Sequence, residues 1–159
     1  MNTLQTIRNP STKASIMTVT IITRTSANTQ DAGKFVLRAA LAAMLLFHGV
    51  SKMQNGIGFV ADMLAKAGLP AMFGYGVYIG EVVAPLLMLI GVFTRPAALI
   101  VVVNMLVAVF LVHTGQFFTH NDTGGWALEL QGMFFFAALA VALMGAGRYS
   151  AGGTDGRYN

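Results

Sequence analysis

Residues 75–113 of this chain have the sequence YGVYIGEVVAPLLMLIGVFTRPAALIVVVNMLVAVFLVH, which is two long apolar runs joined by a short polar turn. The runs cover 75–93 and 96–113. Each meets the requirement of about 17–25 mostly apolar residues for a helix that crosses a hydrocarbon layer. Since lipid offers no partner to an unpaired backbone group, and since neither run alternates as a barrel strand would, we predict two membrane-spanning helices here.

Two further apolar runs lie on either side of this stretch. They are FVLRAALAAMLLFHGVS at 35–51 and WALELQGMFFFAALAVALMGA at 126–146. Of the 159 residues, 55% are hydrophobic and only 10% are charged, whereas about a quarter of the residues in a soluble domain are charged. This composition excludes a soluble domain and a largely disordered chain. We therefore predict an all-α integral membrane protein, in which four helices form a bundle.

The distribution of Lys and Arg predicts the orientation of these helices. The loop after the first run holds only Lys52 and Lys66, and the loop at 114–125 holds no basic residue. Other basic residues lie before the first run, in the turn between the second and third, or after the fourth: Arg8, Lys13, Arg24, Lys34, Arg95, Arg148 and Arg157. Because cytoplasmic loops are rich in Lys and Arg, we predict that both termini are cytoplasmic. The net charge of +4 then reflects orientation, and no nucleic-acid partner is expected.

Three parts of the chain are distinguished by composition. Residues 1–33 are rich in Thr, Ser and Asn, and we expect them to form a disordered cytoplasmic tail. Their apolar runs are too short for the hydrophobic region of a signal peptide. Residues 34–150 form the predicted membrane domain, and residues 151–159 form a cytoplasmic C-terminal tail. Either Met1 or Met17 is expected to be the true start of the protein.

The loop between the first and second runs has a helical pattern of its own. Its apolar residues recur at helical spacing from Phe59 to Ala67, and Asp62 and Lys66 form an i,i+4 pair of opposite charge. Gly68 follows directly. We predict a short helix that lies flat on the membrane surface.

Polar side chains inside the runs are the candidates for function, because a charge at the bilayer centre costs roughly 2.5–3.5 kcal/mol. Glu81 lies about 9 Å below the outer end of its run at a rise of about 1.5 Å per residue. The candidates in the middle or outer half of the membrane are His48, Lys52, Glu81, Asn104 and Glu129. Such a cluster relays protons, binds a polar quinone headgroup or holds a small solute; alternatively it only fixes the helix register. Arg38, in the inner half, is expected to reach the cytoplasmic headgroups.

Small residues surround Glu81 in the sequence. Gly76, Gly80 and Ala84 recur every four residues, which predicts a face where another helix approaches closely. Pro85 comes one turn after Glu81 and leaves one backbone carbonyl without its usual helical partner. We expect these residues to have a structural role in shaping a cavity.

The sequence contains few residues or motifs that indicate a cofactor. The chain has no cysteine, which excludes disulfides, iron–sulfur clusters and thiolate zinc sites. His48 and His113 lie at the ends of two runs, but nothing else favours a haem, and the Glu-x-x-His spacing of di-metal bundles is absent. We therefore predict no metal site and no haem, and leave a quinone as the possible cofactor.

Four sequence elements in this order resemble the DoxX family of small bacterial inner-membrane proteins. They are Phe-His-Gly-x-x-Lys, Gly-Glu-x-x-x-Pro, Phe-Thr-Arg-Pro-Ala and Glu-Leu-Gln, within LLFHGVSKM (45–53), the stretch 75–113 and GGWALELQGMFFFAALAVALMGAGRYS (124–150), with AGLP at 67–70. The resemblance implies a four-helix protein of the bacterial inner membrane. The family name comes from subunits linked to quinone-dependent sulfur oxidation, and similar proteins are associated with redox-stress complexes. The positions matched by motif are His48, Lys52, Glu81, Arg95, Asn104 and Glu129.

The resemblance implies an accessory subunit for quinone-linked redox chemistry, whose protein partner supplies the redox centre. Glu81 and His48 would carry or gate a proton, Lys52 and Glu129 would set their charge, and Asn104 would hold a polar group. Arg95 would anchor the turn structurally. Two alternatives stay open: a non-enzymatic membrane scaffold or assembly factor, and a small-solute carrier. A carrier requires a homo-oligomer, because one four-helix protomer has little room for a pathway.

Overall fold

The computed structural model describes residues 10–153, 156, 158 and 159. In this part of the chain the regular secondary structure is helical, and β pairing is limited to an isolated bridge between His120 and Trp126. Three helices are long and apolar enough to cross a membrane. The all-α class is thereby confirmed.

Helix α1 runs from Pro10 to Asn55 over 46 residues, and its apolar part is Ser26–Asn55. The sequence analysis predicted a disordered tail up to residue 33, whereas the structure describes residues 10–33 as part of this helix; residues 1–9 lie outside the described part. The physical reason is cooperativity. A helix that is already nucleated in the membrane segment gains one hydrogen bond for each residue added. Proline is tolerated in the first turn of a helix, which is where Pro10 lies.

Helix α2 covers Gly58–Lys66 in the loop where a short helix was predicted. Leu64 is its buried residue, and it packs with Val60 and Ile57 around Gly74. The helix ends before Gly68, which has a φ of +72°. The helix itself is confirmed.

Helix α3 covers Ala71–Ile90 and changes its winding along its length. It begins with a 3₁₀ turn at Ala71–Tyr75, and it contains a π-helical segment at Ile79–Val83. Pro85 follows this segment. Because proline has no N–H group, it cannot donate to the carbonyl of Glu81 four residues earlier, and the π segment lies where that bond is missing.

Helices α4 and α5 cover Thr94–Val112 and Glu129–Met144. A tight turn joins α3 to α4, and Phe93 in it adopts a left-handed conformation with φ 50°. Helix α5 has 16 residues, about 24 Å at the usual rise, which is shorter than the predicted run. It begins later because the preceding loop forms its own hydrogen bonds: the N–H of Asn121 donates to the carbonyl of Gly125, and the N–H of Ala127 donates to the carbonyl of Thr119. The N–H of Glu129 donates to the carbonyl of Trp126.

The core consists of small and aliphatic residues from α1, α3, α4 and α5, among them Leu41, Ala42, Leu45, Ala84, Met88, Ala97, Ala98, Val101, Phe134, Ala138 and Val141. Large apolar side chains cover the outside, such as Phe47 at 78% and Phe136 at 65% exposure. Such an exterior is favourable in lipid and unfavourable in water. The small residues of the core let the helices approach closely, as is usual in membranes.

Candidate functional site: an ion pair between two spans

Lys52 and Glu81 form the centre of the site. Nζ of Lys52 lies 2.5 Å from Oε2 of Glu81, and the two side chains are 28% and 9% exposed. Lys52 lies in the last turn of α1, and Glu81 lies in the π segment of α3. The pair joins two spanning helices by their charges, and each charge offsets the cost of burying the other.

Gly49 allows α1 and α3 to come this close. A Cβ atom at Gly49 would lie 2.5 Å from the backbone oxygen of Glu81 and 2.6 Å from Cγ2 of Val82. Side chains do not tolerate such distances, so glycine is required here for the two helices to meet. Gly49 also precedes Lys52 by nearly one turn, and the same close approach brings the ammonium group to Glu81.

Gly80 makes the corresponding contact on the other side of α3. A Cβ atom at Gly80 would lie 2.5 Å from Cγ of the half-buried Asn104 in α4. Gly76 has nothing within 4 Å of such an atom among the described residues. The predicted small-residue face therefore makes a close contact at Gly80 and leaves Gly76 open.

Tyr78 belongs to the site, although the sequence analysis did not select it. Its hydroxyl group donates to the backbone oxygen of Lys52 at 3.1 Å. Met53, Tyr78, Val82 and Val83 line a groove of about 400 Å³ beside the ion pair. The available signal was its position three residues before Glu81, which places both on one side of a helix.

His48 lies one turn before Lys52, but it faces a different helix. Its ring is exposed and packs edge-on against Phe134 of α5, with 5.8 Å between the ring centroids. The structure does not pair it with Glu81. His48 is exposed. It lies at the same end of the bundle as the ion pair, one turn of α1 before Lys52.

Glu129 is separate from the ion pair. It is exposed and accepts a hydrogen bond from Nδ2 of Asn121 at 3.1 Å, within the loop that precedes α5. The expected cluster of two acids and two bases is therefore not formed, and only Lys52 and Glu81 are joined. The reason is the late start of α5, which keeps Glu129 with the loop.

His113 is held by two amide side chains. Its Nδ1 lies 3.0 Å from Oε1 of Gln116, and its Nε2 lies 3.2 Å from Nε2 of Gln131. Each ring nitrogen therefore has an amide partner. Among the described residues no group of three or more acidic or histidine side chains is placed to hold a metal ion.

Arg95 and Arg38 lie at the opposite end of the bundle. Arg95 donates from Nε to the backbone oxygen of Asn159 at 3.0 Å and from Nη1 to that of Ala142 at 3.2 Å. It thereby connects the start of α4 to the end of α5 and to the C-terminal segment. Arg38 is 1% exposed, and its Nη2 donates to the backbone oxygen of Tyr149. The expectation that it extends to the headgroups is wrong, because the C-terminal segment covers it.

The helices and the ion pair define a helical membrane protein with a charged contact between two of its spans. The DoxX family matches residues 33–114, more than half of the chain. An uncharacterized protein of Haemophilus influenzae is 34% identical over 122 residues, which are 70% of this chain and 81% of the relative. No solved structure matches significantly.

This chain belongs to the DoxX family. The matched range contains His48, Lys52, Glu81 and Asn104, and it ends before Glu129. The family match therefore covers the ion pair and the helices that hold it.

Proposed function

We propose that this protein spans the bacterial inner membrane four times, with both termini in the cytoplasm and α5 as the fourth span. The distribution of Lys and Arg supports this orientation. Trp126 precedes α5 and supplies the amphipathic ring that is typical of a membrane interface. In this arrangement the ion pair lies in the outer half of the bilayer.

The proposed function is that of an accessory subunit in quinone-linked redox chemistry. The observation that carries it is the ion pair of Lys52 and Glu81, held between two spans and next to a groove. A carboxylate and an ammonium side by side offer one acceptor and one donor for the two-electron chemistry of a hydroquinone. An ionised pair at this depth is costly, which makes it a candidate functional site.

In the proposed reaction a quinol is oxidised to a quinone and loses two protons and two electrons. The carboxylate of Glu81 accepts the protons of the two quinol hydroxyl groups one after the other, releasing the first before it takes the second, while Lys52 donates a hydrogen bond to a ring oxygen. The exposed His48 passes each of the two protons on to the outer surface. The electrons go to a redox centre, such as a flavin or a metal, on a protein partner, because this chain has no cysteine and no cofactor motif. The side chain of Asn104 packs against Gly80 and thereby sets the close contact between α3 and α4.

The test is to isolate the tagged full-length protein from bacterial membranes in mild detergent and to quantify the quinone extracted with it. Wild type is expected to carry quinone in stoichiometric amount. Glu81→Gln is expected to carry roughly tenfold less, the loss of one hydrogen bond to a charged group. Asp62→Asn removes a carboxylate from the exposed face of α2 and serves as the matched control. A wild-type preparation with phospholipid alone would overturn the proposal.

A membrane scaffold is the second candidate function. The observation that favours it is that Lys52 and Glu81 satisfy each other within the chain, as two groups that lock a helix register would. For a scaffold, Glu81→Gln lowers the thermal stability and the recovery of a co-purified protein partner, while the quinone content is the same in all three preparations.

A further inference from the structure

Arg38 is a buried charge whose hydrogen-bonding capacity is largely unused. Its side chain is 1% exposed, and its Nη2 donates to the backbone oxygen of Tyr149. Its Nε and Nη1 atoms are buried and have no hydrogen-bond partner among the described residues. The ion pairs found in the same part of the chain do not include Arg38. Because burying a guanidinium group without a counter-ion is costly, these two spare donors indicate a site for an anion.

Residues 145–153, which we call the C-terminal strap, cover this guanidinium group. The ring of Tyr149 packs edge-on against Phe35 of α1, with 6.2 Å between the ring centroids. Two backbone hydrogen bonds hold the strap to the end of α3, from the N–H of Ala151 to the oxygen of Ile90 at 3.1 Å and from the N–H of Gly152 to the oxygen of Gly91 at 3.0 Å. A small number of contacts therefore keeps Arg38 covered.

Glycines at both ends of the strap allow it to move as a unit. Gly145 and Gly153 have φ values of +74° and +70°. Glycine adopts positive and negative φ at similar cost, so a rotation at these two positions meets little resistance. The backbone groups released by such a rotation form hydrogen bonds with water instead, so the net loss from each is small. Lifting the strap is therefore a change that an anion bound to Arg38 can drive.

We infer that Arg38 is a binding site for a phosphate group, and that the C-terminal strap closes this site. Lifting the strap frees Nη2 from Tyr149, and Nε and Nη2 then form a planar edge that donates to two oxygen atoms of one phosphate. These bonds to an anion are stronger than the single bond to the Tyr149 carbonyl that they replace. The inference does not use quinone chemistry, so it and the proposed function fail separately.

The surroundings of Arg38 favour the phosphate of an anionic bilayer lipid as the source. Arg38 lies in Ser26–Asn55, the apolar part of α1, and its neighbours Phe35 and Val36 are 40% and 63% exposed. Such a surface lies in lipid. A long arginine side chain without its cover extends from this position to the headgroups. Dissolved phosphate has the same chemistry, and the experiment distinguishes the two sources.

The test follows the strap with a single spin label. The chain has no cysteine, so Ala151→Cys at an exposed position accepts one nitroxide. Full-length labelled protein is placed in vesicles of phosphatidylcholine alone or of an equimolar mixture with phosphatidylglycerol. We expect the ratio of mobile to immobile label to rise roughly tenfold with phosphatidylglycerol, the effect of one hydrogen bond to a charged group. The same rise with inorganic phosphate in phosphatidylcholine vesicles would support the site and identify dissolved phosphate as the source. An unchanged ratio under both conditions would overturn the inference.

Variants in the labelled protein assign the response to Arg38. Arg38→Gln is expected to abolish it, and Arg38→Lys, which keeps the charge but has no planar edge, is expected to reduce it. Arg148→Gln is the matched control, since it removes an exposed cation of the strap itself and is expected to retain the rise. A wild-type response in Arg38→Lys, or equal responses in Arg38→Gln and Arg148→Gln, would show that general attraction of the strap to a charged surface moves it and would overturn the inference.

Discussion

The α-carbon of Gly49 faces the backbone oxygen of Glu81 so closely that a Cβ atom on Gly49 would lie 2.5 Å from that oxygen. This contact fixes the distance between α1 and α3. Lys52 follows Gly49 by three residues and forms its ion pair with the side chain of the same Glu81. The geometry of the charged pair therefore depends on a residue without a side chain. Several consequences can be measured.

Gly49→Ala is expected to lower the free energy of unfolding by about 1–3 kcal/mol, the usual cost of forcing an extra methyl group into a packed contact. Gly33→Ala is the matched control in the same helix, since its Cβ meets nothing within 4 Å among the described residues. In a helix that change is favourable by about 0.5–1 kcal/mol. Thermal unfolding in detergent measures both, and equal effects would contradict the close approach.

The charges of Lys52 and Glu81 are expected to be strongly coupled. Lys52→Met leaves a carboxylate that is 9% exposed without its partner, and we expect a loss of about 3 kcal/mol. Adding Glu81→Gln removes the unpaired charge, so the double variant is expected to be more stable than Lys52→Met alone. A double-mutant cycle of unfolding free energies checks this. Additive losses would show that the pair contributes nothing.

Hydropathy was enough to predict the all-α class and the three helices that are long and apolar enough to cross a membrane, because lipid imposes helices on any long apolar run. The same principle does not locate the ends of helices. Helix α1 extends beyond its apolar part towards the N-terminus as far as Pro10, because residues without strong helix breakers extend a nucleated helix. Helix α5 begins only at Glu129 because the preceding loop forms its own hydrogen bonds.

The site was predictable as a set of polar residues but not as a set of contacts. Their expected depth in the membrane selected Lys52 and Glu81 as candidates, and the structure joins these two in an ion pair. The separation of Glu129 depends on where α5 begins and on its hydrogen bond with Asn121 of the preceding loop, and apolar periodicity does not predict either of these. Tyr78 was missed because its role depends on a bond to a backbone atom of another helix.

Gly91→Ala is expected to be more destabilising than Gly153→Ala. Both glycines have a left-handed φ, +79° and +70°, and alanine there costs about 1–2 kcal/mol. A Cβ at Gly91 would in addition overlap Nη1 of Arg38, whereas at Gly153 it meets no described atom within 4 Å. A Cβ at Gly91 would also lie 2.5 Å from Cβ of Ser150, so the difference in thermal midpoint between the two variants measures the contacts with Arg38 and Ser150 together. Equal midpoints would contradict them.

Pro85→Ala tests the origin of the π segment. The variant supplies an N–H group that can donate to the carbonyl of Glu81, so a regular α-helix becomes possible through this region. Closing a one-residue bulge turns the preceding part of α3 by about 100°, which would move Glu81 away from Lys52. We expect Pro85→Ala to fold with lower thermal stability, because the separated charges of Lys52 and Glu81 lose their partners, and to lose the extracted quinone. Pro96→Ala is the control, since Pro96 lies in the first turn of α4, where a helix needs no N–H donor. Retention of quinone in Pro85→Ala at the level of this control would show that the π segment does not position Glu81.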